Sequence, residues 1–326
     1  MAISETSLSR LIKFWILLIF QIPSILCSIF VLHHMFTSKT YRRTLANHVI
    51  IAMLIISLLS VTIDLSLTLN YLREGIVNPQ SVSFCYFWMY IDYSLYASGM
   101  LLTTWASFER HILVFTLQYF RSSYKIIFVH YLPIIICLIY PFIFYIYTIY
   151  FYSCKNNILN FHIILCGSPC FKRESYILNW YDMLIHSVLP CTFIVTFSLA
   201  LLIRVIKQKR RLQQKLFSWK KQRRMIIQLL SIACLYIIMN IPLFIIIFIQ
   251  QCCLKTFAIA EHDLYLFYLY YFLLIFLPFV CLGSIDNLRE KFKKFKYCFR
   301  ENSRQVPIVN YQRTLYQQAM SMAVMK

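Results

Sequence analysis

The chain has 326 residues, 60% of them apolar and 17% aromatic, while 13% are charged, against about 25% in an ordinary soluble domain. A mean hydropathy of +0.66 is incompatible with a fully water-exposed surface, the low polarity excludes disorder, and four glycines are too few for phosphate- or dinucleotide-binding loops. The net charge of +20 comes from basic residues lying between long apolar runs, which is an orientation signal in a membrane protein and excludes a nucleic-acid partner.

A bilayer core takes about 20 apolar residues as helix. Seven stretches reach that length: Leu11 to Phe36, Asn47 to Leu69, Cys85 to Phe115, Ile126 to Tyr150, Trp180 to Ile206, Arg224 to Gln250 and His262 to Ser284. The sequence therefore predicts an all-α fold, a seven-transmembrane helix bundle over residues 11–284, behind a short external segment, 1–10. Arg10 and Lys13 precede an apolar run too long for a signal peptide, so that run is read as the first span. The third span is the least clean, because it carries Asp92, Glu109 and Arg110. Beyond the seventh, Leu288, Phe292, Phe295 and Phe299 recur at helical spacing. Residues 285–299 are accordingly predicted as an amphipathic helix in the interface plane, followed by a cytoplasmic tail, 300–326.

With the N-terminus outside, 25 of the 32 basic residues fall on the inner side, and the run from Arg204 to Arg224 holds ten of them without one acid. The positive-inside rule thus places the N-terminus outside and the C-terminus inside. Six of the twelve cysteines (Cys85, Cys154, Cys166, Cys170, Cys252, Cys253) lie at or beyond the outer face. That compartment is oxidising and favours disulfides, but sequence alone does not choose among the pairings six cysteines allow.

Glu109-Arg110-His111, ending the third span, resembles the acid-arginine-aromatic triplet of rhodopsin-like (class A) G-protein-coupled receptors. Cys85 lies 25 residues before Arg110, the separation that family shows between its third-helix cysteine and that arginine. Pro190, Pro242 and Pro278 fall in the fifth, sixth and seventh spans, where the family carries its helix-kinking prolines, and Asn47 opens the second span as the family's asparagine does. The resemblance covers Ser28 to Phe299 and is to a divergent member. Ser57 stands at the sodium-binding aspartate, Ser28 at the first-span asparagine, Tyr131 at the fourth-span tryptophan and Ser198 at the fifth-span tyrosine. Met239-Asn240-Ile241-Pro242 replaces Cys-Trp-x-Pro, and Leu277-Pro278-Phe279-Val280-Cys281 replaces Asn-Pro-x-x-Tyr.

The resemblance implies a plasma-membrane receptor coupled to a heterotrimeric G protein through Glu109, Arg110 and His111, with the basic Arg223 and Arg224 beside them. It also implies a disulfide from Cys85 to Cys166 or Cys170. Asp92 lies 18 residues before Arg110, about 27 Å of helix, which puts a carboxylate in the outer half of the bundle, where such a group is a functional signal. Amine receptors of the family carry their ammonium-binding aspartate there, and Tyr271 matches the tyrosine that commonly bonds it. Asp64 and Asp182, with His186 one turn on, add negative charge to the same outer pocket, and Phe267 belongs to an aromatic stretch suited to a cation cage. The ligand expected is cationic, an amine or a small basic peptide.

The plainer readings are an Arg110 that snorkels to headgroups, an Asp92 bonded only to neighbours, and an Asp64 and Asp182 that are solvated or locally bonded. The basic run between the fifth and sixth spans suits anionic membrane lipids as well as a G protein, and Cys298 suits palmitoylation. No metal or cofactor is expected, and no His/Cys/Asp/Glu set has metal-ligand or triad spacing, so an enzyme is not expected either. The alternative from another class is a seven-helix transporter or channel without G-protein coupling. Transporters usually carry internal repeats and Gly- or Pro-interrupted helices, and this sequence has no visible repeat.

Overall fold

The computed structural model describes residues 6–42, 44–115, 123–154, 159–211, 216–252 and 265–283, all of them in the unit Met1–Ser284. The expectations for 285–299, 300–326 and Cys298 lie outside the described residues. Helix α1, Ser7–Thr37, starts where the Thr6 side chain accepts a hydrogen bond from the Ser9 amide, and ends where Ser38 turns extended. Helix α2 runs Leu45–Leu59, widens into a π turn at Ser60–Asp64 and continues as Leu65–Glu74. Gly75 closes it at φ +76°, a left-handed conformation that strains residues with a side chain. Helix α3 is Val82–Phe115. Helix α4 comprises Ser123–Ile126, a π turn at Ile127–Tyr131, Leu132–Ile146 and a second π turn at Tyr147–Phe151.

Helix α5 begins at Tyr176, where the Ser175 hydroxyl accepts from the Leu178 amide. It widens at Leu184–Val188, just before Pro190, and continues as Leu189–Arg211. Helix α6 is Leu216–Cys252, with Pro242 inside, and helix α7 is Phe267–Gly283, with Pro278 inside. No strand occurs among the described residues.

Five stretches, Ser7–Thr37, Asn47–Glu74, Ile127–Phe151, Tyr176–Arg204 and Leu230–Gln250, are long and apolar enough to cross a membrane, and Phe267–Gly283 is apolar but shorter. They mark the chain as a helical membrane protein. Helix α3 is not in that set, and its position accounts for its composition. It packs against α2, α4, α5 and α6, with Asp92, Glu109 and Arg110 all buried. Its polar groups thus face protein, the one place a membrane interior tolerates them. Helix α4 has the opposite character: Ile136, Ile139 and Ile143 form an exposed apolar face suited to lipid.

Two close contacts set helix positions. Pro278 has no N–H, so the Leu274 carbonyl four residues earlier loses its helical partner; the Ser57 hydroxyl of α2 donates to that carbonyl at 2.9 Å. Gly99 of α3 lets α6 approach so closely that a Cβ there would lie 3.3 Å from the Tyr236 hydroxyl. Cys85, in the first turn of α3, is bonded to Cys166, and Cys154 to Cys170. The segment leading into α5 is therefore stapled both to the start of α3 and to the end of α4.

Candidate functional site

Helices α3, α4, α5, α6 and α7 and the stapled segment enclose a cavity of about 260 Å³. Of the residues expected to contact a ligand, Asp92, Asp182 and Phe267 line it, whereas Asp64, Tyr271 and His186 do not. Tyr270 takes the lining position instead of Tyr271, its ring 4.8 Å from that of Tyr96.

The expectation of a purely negative outer pocket is corrected by Lys172, which the stapled segment delivers into the lining two residues beyond Cys170. The Lys172 Nζ donates to Asp182 Oδ2 at 2.7 Å and lies 4.3 Å from the centre of the Tyr93 ring, a cation–π geometry. Burial works against the lysine's charge, but the adjacent Asp182 outweighs it and holds the ammonium above the usual lysine range. Asp182 itself is well satisfied. Its Oδ1 accepts from the Tyr145 hydroxyl and from His186 Nδ1, the latter at 2.9 Å. His186 is thus a support for Asp182 one turn away, placed by the π turn Leu184–Val188.

Asp64 and Tyr271 form a layer behind Asp92. The Trp88 indole N–H donates to Asp64 Oδ1 at 2.9 Å, and the Tyr271 and Thr68 hydroxyls are 2.7 Å apart.

At the other end of α3, Glu109 is buried and its Oε1 meets His130 Nδ1 of α4. His130 Nε2 is 2.9 Å from His48 Nδ1 of α2, and His48 Nε2 is 2.8 Å from the Arg42 carbonyl. The carboxylate of Glu109 is therefore engaged by a histidine that the sequence reading did not include. Arg110 is only 3% exposed, so it does not reach headgroups by snorkelling. His111 Nε2 donates to the Phe197 carbonyl at 2.7 Å, tying α3 to α5.

Arg223 and Arg224 lie on α6. Pro242 and Pro278 are interior to their helices, and Pro190 is the second residue after its π turn. The Pro190 carbonyl accepts from the Thr104 hydroxyl of α3 at 3.3 Å. Cys252 is a free thiol, and Cys253 lies outside the described residues. Lys172 was traceable in the sequence as a base two residues beyond the clustered external cysteines Cys154, Cys166 and Cys170. His48 and His130 carried no such signal, because nothing in a single chain tells that two distant histidines meet.

Compared with known proteins, the chain matches no protein-family model and no curated protein.

Proposed function

We propose that the chain is a plasma-membrane receptor of the rhodopsin-like G-protein-coupled type, with seven spans and its N-terminus outside. It binds a small cationic group in the cavity at Asp92 and activates a heterotrimeric G protein at the opposite end of α3. The observation that carries this reading is the distribution of buried charge on that one helix. Asp92 lines a cavity, and Glu109-Arg110-His111 lies 18 residues further on, about 27 Å away. Buried ionisable groups at both ends of one span are costly and point to function. A carboxyl in a cavity walled by Tyr93, Tyr96, Phe267 and Tyr270 suits a protonated amine, through a charge-assisted hydrogen bond and ring faces.

At the inner end, an acid bonded to a histidine of α4, which in turn meets a histidine of α2, is a locked element that a second state can rearrange, leaving the arginine to meet a partner. The basic Arg223 and Arg224 on α6 add attraction for a G protein or for anionic lipid. The test is the full chain in lipid nanodiscs with a heterotrimeric G protein, challenged with a panel of amines. Ligand-stimulated guanine-nucleotide exchange supports the reading, whereas ligand flux across a sealed bilayer without exchange supports a transporter.

A further inference from the structure

We propose that the ligand of the outer cavity is a free amino acid or a close analogue of one: a small zwitterion whose ammonium meets Asp92 and whose carboxylate meets Lys172. This deepens the receptor reading above and rests on it for the signalling output, while the binding claim stands on the cavity alone.

Lys172 is an unusual lysine to find in such a place. Its side chain is only 24% exposed, and it lies in a segment stapled by Cys85–Cys166 and Cys154–Cys170. Much of the entropy of ordering it is thus spent before a ligand arrives, which favours binding. An ammonium has three N–H donors. Asp182 takes one and the Tyr93 ring faces the ammonium at 4.3 Å, leaving a donor for the cavity that Lys172 lines. Because Tyr145 and His186 also donate to Asp182, the carboxylate does not depend on the lysine alone.

The second argument is electrostatic. Lys172 and Asp92 line the same cavity, so each acts on a charge placed inside it. A ligand carrying only a cation would place that cation at Asp92 within the field of Lys172. A carboxylate on the same ligand converts that repulsion into a second ion pair. The third argument is size. About 260 Å³ is below the roughly 300–1,000 Å³ typical of drug-sized sites, which suits a ligand of about the size of one amino acid. The rings of Tyr96, Phe267 and Tyr270 are left to cover its side chain.

The experiment uses the purified full chain in nanodiscs and matched probes that differ by a carboxylate: histidine and histamine, tyrosine and tyramine, tryptophan and tryptamine, lysine and cadaverine. Binding is read as ligand-induced thermal stabilisation, which needs no G protein. In at least one pair the amino acid should stabilise the protein at a concentration about tenfold or more below that of its amine, the size of one additional charge-assisted contact. Lys172→Met keeps an unbranched stem without the charge and should erase that preference, and Lys172→Arg should retain it. The proposal is overturned if every amine equals or exceeds its amino acid in the wild-type protein, if no pair binds, or if Lys172→Met keeps the preference. Amino-acid binding without nucleotide exchange would overturn the receptor reading alone. Amine-selective binding with exchange would overturn the zwitterion alone.

Discussion

Asp92 is buried on α3 and lines the cavity, where a carboxyl group is a natural partner for a ligand ammonium. Asp92→Asn removes the charge at constant shape and should weaken the ligand at least about tenfold, with surface expression near wild type. Unchanged affinity at matched expression would return Asp92 to a structural role.

The contacts that cross between helices carry the next set of expectations. The chain from the buried Glu109 and His130 to the partly exposed His48 joins α3, α4 and α2, so its members should couple. In a double-mutant cycle of Glu109→Gln and His130→Phe, thermal unfolding should give an interaction energy of about 0.5–3 kcal/mol, where independent sites would add to within about 0.3–0.5 kcal/mol. Ser57→Ala orphans the carbonyl that Pro278 frees in α7 and should cost about 1–3 kcal/mol, read in the same melting assay. A Ser57→Ala protein as stable as wild type would mean that the Leu274 carbonyl finds another partner.

How much of this was legible in the sequence also divides at the helix level. The apolar runs announced the helices, and the burial of Asp92, Glu109 and Arg110 follows from their being ionisable in an apolar setting. The π turns could not be read, since one extra residue per turn leaves composition unchanged. Asp64 lies seven residues past Ser57, nearly the same face of a regular helix. The π turn Ser60–Asp64 shifts that register, and Asp64 meets Trp88 of α3 instead of the cavity. The same kind of turn places His130 toward Glu109 and His186 under Asp182, in keeping with the association of π-bulges with functional sites. Choosing Tyr271 over its neighbour Tyr270 failed for a related reason: adjacent residues on a helix point about 100° apart, and the rotation of α7 is set by packing.

At the scale of the whole molecule, the core is largely apolar, as in a soluble protein, but the exterior is apolar too. Ile136, Ile139 and Ile143 face outward, while several carboxyls, histidines and an arginine are buried. The buried ionisable groups are gathered at two levels, and α3 runs between them. This predicts that ligand contacts and transducer contacts separate by mutation. The measurement that tests the account most directly is guanine-nucleotide exchange on a heterotrimeric G protein, driven by a saturating cavity ligand, in wild type and in Arg110→Ala. The account predicts several-fold ligand-stimulated exchange in wild type, and its loss in Arg110→Ala with ligand binding preserved. Exchange that is absent in wild type despite saturable binding, or that survives undiminished in Arg110→Ala, would contradict it.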